Sequence, residues 1–167
     1  VHRAISKKLK YPNQRVAYYL PTYDLINTVA VPEFEAILSA MGIPFQLNKQ
    51  EKKIKIYNAG EILYRTMDRP ERIVGFEHAD AVVDELDTLP IDKAKEVWQK
   101  IIARNRQKKQ DGSKNTIAVA TTPEGFKFVY DRWYKRGNED YQIIKASTYS
   151  NKHNLPADYI DSLKEDY

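Results

Sequence analysis

The stretch Ala81-Val82-Val83-Asp84-Glu85 is an apolar run that stops abruptly at two adjacent carboxylates. A short apolar run without alternation fits a strand buried on both faces of a parallel sheet. Asp84 then emerges at the strand's C-terminal edge, where a carboxylate can hold the hydration shell of Mg²⁺. Glu85, the next residue, can orient or deprotonate a water that attacks a γ-phosphate. This is the form of a Walker B strand in an ATP-hydrolysing P-loop enzyme. Ordinary strand ends also carry Asp-Glu, so the flanking elements have to decide.

Those elements alternate. Val1 to Leu9 reads as the body of a helix with no N-cap ahead of it, which leads us to expect coding sequence upstream. Arg15 to Leu20 reads as a strand. Leu25 to Met41 has helical period, with Pro32 expected to kink or split it and Gly42 suited to its end. Lys53–Tyr57 and Glu61–Arg65 read as a hairpin around Asn58-Ala59-Gly60. Asp92 to Arg106 is an amphipathic helix, with Ala94, Val97, Trp98, Ile101 and Ile102 on one stripe. The stripe means packing, and no binding role is read into Trp98. Gln107 to Asn115 is polar and is expected to be a mobile loop. Thr116–Thr121 and Tyr141–Ala146 read as strands, Phe126–Lys135 and Pro156–Tyr167 as helices. The alternation predicts an α/β fold with a largely parallel sheet and an antiparallel hairpin at one edge.

Composition narrows the function classes. The chain has 167 residues, enough for one domain with a core, and no cysteine for disulfides or thiolate metal sites. His2, His78 and His153 are scattered without metal-ligand spacing. No apolar run approaches the roughly 20 residues of a membrane span, and no signal-peptide pattern opens the chain. A soluble, intracellular protein is the expectation. A net charge of +4, from 27 Lys and Arg against 23 Asp and Glu, permits nucleic-acid binding without demanding it. Two basic clusters, Arg104/Arg106/Lys108/Lys109 and Lys49/Lys52/Lys53/Lys55, read as a solvated helix end and a solvated edge strand.

The order of motifs carries more. A helix placed to follow a phosphate loop comes first, then the strand ending in Asp84-Glu85, then a strand ending in Thr121-Thr122-Pro123. A polar residue at the tip of the strand beside Walker B can touch the attacking water or the γ-phosphate. From about Arg15 to Tyr167 the chain resembles the ATPase region of bacteriophage terminase large subunits, a RecA-like P-loop NTPase core of the ASCE type. The residues that carry the resemblance are Tyr11-Pro12 with Arg15-Val16 and Pro21-Thr22-Tyr23, Arg72-Ile73-Val74-Gly75-Phe76, Val83 to Asp87 with Leu89-Pro90, and Thr121 to Phe126. A closing segment from Ala146-Ser147-Thr148 to Asn154-Leu155-Pro156 completes it.

The resemblance implies ATP and Mg²⁺ as cofactors. Asp84 matches the Mg²⁺-organising aspartate and Glu85 the catalytic glutamate. Thr121 and Thr122 match the coupling motif that links hydrolysis to DNA movement. Arg72 lies where similar proteins place an arginine that reaches a neighbouring subunit's ATP, with Arg65 and Arg69 as rivals. Pro21-Thr22-Tyr23 falls near the expected nucleotide edge and is assigned no contact. The resemblance further implies double-stranded DNA, a portal protein and a terminase small subunit as partners, a homo-oligomeric ring, and action in the host cytoplasm at the viral procapsid. Residues 1–147 would form the ATPase core and 148–167 a linker towards a nuclease domain.

The departures matter too. No G-x-x-x-x-G-K-[ST] loop occurs in these 167 residues; in this family it would end at or just before Val1. The nuclease's acidic cluster is also missing, since Asp158, Asp161, Glu165 and Asp166 read as helix-surface acids. Two other readings compete. One is a non-catalytic DNA-binding or scaffold module that keeps the fold without the phosphate loop. The other is a helicase-type ATPase, which the residues after Asp84-Glu85 disfavour.

Overall fold

The computed structural model describes residues 1–137 and 139–166. The chain divides into two compact units, Val1–Tyr130 and Asp131–Tyr167. The first opens with helix α1 (His2–Lys10), followed by strand β1 (Val16–Leu20). A continuous helical run then comprises α2 (Tyr23–Leu25), a π-helical turn (Ile26–Ala30) and α3 (Val31–Ala40). Strands β2 (Phe45–Asn48), β3 (Lys53–Ile56), β4 (Gly60–Thr66) and β5 (Asp80–Asp84) come next. Helix α4 (Ile91–Arg104) and strand β6 (Thr116–Ala120) complete the sheet layer. Among the described residues there is one sheet, ordered β2-β3-β4-β1-β5-β6.

The four strands β4, β1, β5 and β6 run parallel, and β2 and β3 add antiparallel at the β4 edge. Phe45–Asn48 was not anticipated as a strand, and the expected hairpin is one half of a three-stranded meander. The run Phe45-Gln46-Leu47-Asn48 is too short to declare itself; pairing with Lys53–Ile56 creates it.

β1 lies at the centre, and all five of its residues are buried. Val16, Tyr18 and Leu20 join a core with Ala4 and Ile5 of α1, Ile26 and Ala30 of the π turn, and Val31, Phe34 and Leu38 of α3. Ala17, Tyr19, Ala81 and Val83 are buried on the other face. α4 buries the predicted stripe through Ala94, Val97, Trp98 and Ile101, while Ile102 stays exposed. Among the described residues no helix is long and apolar enough to cross a membrane.

Pro32 does not break its helix. It sits in the first turn of α3, and the π turn ahead of it takes up the misfit, with Val31 N–H donating to Ile26 C=O. Gly42 ends the helix in the left-handed region (φ 64°), and Ile43 N–H returns to Leu38 C=O, closing a Schellman motif.

Gln107 to Asn115, expected to be a mobile loop, is tied to its neighbours by hydrogen bonds. Gln107 Oε1 accepts from Arg15 N–H at 2.6 Å, and Asn115 Nδ2 donates to the carbonyls of Asn105 and Gln107. Lys109 is buried, and its Nζ lies 3.0 Å from Asp80 Oδ1 and 2.8 Å from Lys114 C=O. The basic cluster is therefore not a uniformly solvated helix end: Arg106 pairs with Glu77 at the surface, whereas Lys109 points inward. In the second cluster, Lys53 pairs with Glu51 and Glu61, and Lys52 lies over the Tyr23 ring.

His78 ties the end of α4 to the sheet. Its Nδ1 lies 3.1 Å from Asn105 Oδ1 and its Nε2 3.0 Å from the Tyr19 hydroxyl. Neutral imidazole suits this pair, donating from one nitrogen and accepting on the other. Burial, only partly offset by the Asn105 hydrogen bond, pushes the His78 pKa down to about 4. The unfolded chain therefore takes up a proton first, and stability is lost as pH falls from about 6.5 towards 4. At about 1.4 kcal/mol per pH unit, the loss is on the order of 2–3 kcal/mol. Urea unfolding at pH 7 and 4.5 should show this drop in the wild-type chain and not in His78→Gln; an equal drop in both would refute it.

The second unit contains a 3₁₀ run, Thr148–Asn154, and helix α5 (Tyr159–Asp166). The strand expected over Tyr141–Ala146 does not form. Ile143 and Ile144 are exposed, and apolar β-branched residues make a strand only where a neighbouring strand pairs with them. The helix expected over Phe126–Lys135 begins later, at Phe128, and passes into a π-helical turn, Tyr130–Lys135. The predicted final helix starts three residues late, at Tyr159, and its Tyr167 lies outside the described residues.

Candidate active site

β5 carries Asp84 to the carboxyl edge of the parallel sheet, flanked by β1 and β6. That edge, where the strands end and the chain turns away, is where open α/β sheets bind ligands. The Tyr18 hydroxyl, from β1, donates to Asp84 Oδ2 at 2.6 Å. One carboxylate oxygen is thus fixed, and Asp84 is oriented by a buried side chain that itself packs edge-on against Phe34 at 5.3 Å. Burial, reinforced by the Asp84 hydrogen bond, pushes the Tyr18 hydroxyl pKa up, so it remains a donor.

Glu85 leaves the strand in the left-handed region (φ 55°, ψ 40°). A non-glycine residue there is uncommon and is held by its surroundings. Here its N–H donates to Ala120 C=O at 2.8 Å, and its C=O accepts the Thr88 hydroxyl at 2.7 Å. The turn swings the Glu85 side chain out of the strand's alternation. Burial, then the charges of Asp84 and Glu124, hold the Glu85 carboxyl above the usual range. A carboxylate shifted towards neutrality is a better proton acceptor at working pH.

A 3₁₀ turn, Leu86–Thr88, follows, and its buried Asp87 reaches the end of β6. Asp87 N–H donates to Thr121 Oγ1 at 3.2 Å. The structure thus brings Asp84, Glu85 and Thr121 together. Thr122 follows Thr121 at the strand tip with its side chain exposed.

Arg72 lies apart, exposed at the end of the 3₁₀ turn Pro70–Arg72 that packs against α4. Among the described residues its side chain makes no hydrogen bond or ion pair, so it is free to reach outward. Its rival Arg65 is committed: it donates to the carbonyls of Lys52 and Tyr64 and stacks on Phe76. Arg69 is exposed at the start of the same turn.

Among the described residues no three His, Cys, Asp or Glu side chains converge on a metal site. Mg²⁺ keeps its waters and takes one or two carboxylates plus phosphate oxygens, and the partly exposed Asp84 carboxylate is a donor of that kind. Sequence reasoning missed Tyr18. Its only signal was one of two tyrosine hydroxyls, with Tyr19, in a largely apolar strand, and its meaning depends on the β1–β5 register.

A mostly parallel sheet with a carboxylate pair at its carboxyl edge and a polar strand tip alongside has the form of a RecA-like fold. The family model for the N-terminal part of T4likevirus-type terminase large subunits matches residues 4–167, and the chain belongs to that family. The large terminase of a thermophilic bacteriophage, solved in complex with ADP, superposes with a TM-score of 0.70 at 14% identity. The match covers 92% of this chain and 37% of that one. The same large terminase in complex with ATP-gamma-S gives 0.69, with 92% and 36% covered, also at 14% identity. The Thermus phage P74-26 large terminase ATPase domain gives 0.54 at 17% identity, covering 77% of this chain and 55% of that domain. The chain thus spans little more than a third of the thermophilic phage's large terminase. Among curated proteins, no sequence matches it.

Proposed function

We propose that this chain is the ATPase part of a terminase motor, coupling ATP hydrolysis to movement of double-stranded viral DNA into a capsid. The observation that carries the reading is the Asp84-Glu85 pair at the carboxyl edge of β5, with Thr121 bonded to the turn that follows. Asp84, oriented by Tyr18, holds Mg²⁺ and its waters; the ion supplies charge neutralisation on the phosphates. Glu85 orients the attacking water and accepts its proton. Thr121 and Thr122 sense the γ-phosphate from the neighbouring strand. Arg72 extends to the ATP of an adjacent subunit in a homo-oligomeric ring and stabilises charge on the transferring group. DNA contact is through the phosphate backbone and weakens with salt. A portal protein and a small terminase subunit complete the assembly at the procapsid, in the host cytoplasm.

The test uses an extended polypeptide that also carries a phosphate loop. Subunits with Arg72→Ala and subunits with Glu85→Gln are each expected to be inactive in Mg-ATP turnover. Mixed, they regain part of the activity, because one intact site forms at their junction. No recovery at any ratio would remove Arg72 from the trans role. Absence of turnover in the wild-type polypeptide would remove the ATPase reading itself.

A further inference from the structure

Asp87 is fully buried, and a buried carboxylate is costly unless its oxygens are satisfied. Its partners all lie in one segment. Val129 N–H donates to Oδ1 at 3.1 Å and Glu124 N–H to Oδ2 at 3.4 Å. Asp87 N–H reaches Thr121 Oγ1, and Asp87 C=O accepts from Lys127 Nζ at 3.1 Å. A single residue thus grips residues 121–129 at four points.

Beside these bonds the segment holds an ion pair of Lys127 with Glu124 and an edge-on contact of the Phe126 and Tyr130 rings. From Thr121 to Lys127 there is neither helix nor strand, and Thr122 to Phe126 are exposed, Phe126 to 81%. Its far end is anchored by Phe128, which is buried with its ring 6.5 Å from that of Trp98. Its near end meets the carboxylate turn through the bond from Glu85 N–H to Ala120 C=O. Irregular backbone clamped to a 3₁₀ turn by buried, directional bonds moves with that turn.

We propose that Asp87 is a positioning residue that locks residues 121–129 to the turn bearing Glu85, so that a displacement of Glu85 is passed to the exposed Thr122–Phe126 surface. The proposal rests on the ATPase reading for the origin of that displacement; the lock itself rests on the hydrogen bonds alone. Asp87→Asn keeps the shape but leaves one acceptor oxygen for two amides. Thr121→Val keeps the shape and removes the acceptor for Asp87 N–H.

The experiment is amide hydrogen exchange on the extended polypeptide, without nucleotide and with Mg-ATP-gamma-S. Without nucleotide, Asp87→Asn should lower protection of the Glu124, Val129 and Glu85 amides at least tenfold. Thr121→Val should affect the same amides, and the double variant should be no worse than the stronger single one. With Mg-ATP-gamma-S, the wild-type chain should change at Glu85 and at 124–129 together. In Asp87→Asn the change at Glu85 should remain and that at 124–129 disappear. Loss confined to Glu124 and Val129, or a response at 124–129 that survives Asp87→Asn, overturns the lock. A wild-type chain that shows no response at Glu85 sinks the ATPase reading instead, and the nucleotide-free result still decides the lock.

Discussion

Glu85→Gln, in an extended polypeptide that carries a phosphate loop, is expected to lower ATP turnover by about 10²–10⁴-fold and to leave nucleotide binding intact. The substitution preserves volume and one acceptor oxygen, so water can still bind beside it. On the proposed reading it removes the group that would accept the proton. The left-handed backbone at Glu85 and its bond to Ala120 C=O do not involve the carboxyl, so the turn persists. Single-turnover hydrolysis and calorimetric titration with Mg-ATP separate the two effects. Turnover within about threefold of wild type would assign the base elsewhere, and lost binding would make Glu85 a ligand-holding residue.

Asp80→Ala should produce the largest loss of stability of any change considered, about 3–5 kcal/mol in urea unfolding. Asp80 begins β5, and its side chain is 2% exposed. It accepts from Thr116 N–H and Oγ, lies 2.9–3.0 Å from Lys109 Nζ, and sits 3.5 Å from Lys7 Nζ. Burial works against its charge, but the Thr116 hydroxyl, Lys109 and Lys7 outweigh it and hold the carboxyl below the usual range. Removing the carboxylate leaves the Lys109 ammonium, 1% exposed, with Lys114 C=O as its remaining hydrogen-bond partner. Much of the loss is the cost of an uncompensated buried charge. Adding Lys109→Met to Asp80→Ala should therefore restore most of it. A loss below about 1 kcal/mol, or no recovery in the double variant, would show that the pair is solvated and incidental.

These two sites were not equally legible. Asp84 and Glu85 announced themselves because an abrupt end to an apolar run is a local pattern, and β5 is buried on both faces. The α4 stripe was legible for the same reason, since helical period is written within one segment. Lys109 was read as one of four solvated cations. Its partner Asp80 is distant in sequence and pairs only because β5 and β6 lie side by side, with Asp80 opposite Thr116. The Gln107–Asn115 loop was read as mobile from its polarity, yet the same polar groups pin it to Arg15, Asn105 and Asp80. Pro32 is expected to kink or split its helix; that the division takes the form of a π turn ahead of it is beyond local rules.

Sequence by itself thus determined the alternation of strands and helices, the family, and the place of the carboxylate pair at the end of β5. Each depends on neighbours along the chain. Tertiary structure alone decided that Tyr18 orients Asp84 and that Asp87 grips residues 121–129. It also decided that Lys109 is buried while Arg72 stays outside. Hydrogen bonds and buried charge pairs join residues far apart in the chain, and their partners are fixed by strand order and register. The meander edge belongs to the same class, because a four-residue strand exists only when another strand supplies its hydrogen bonds.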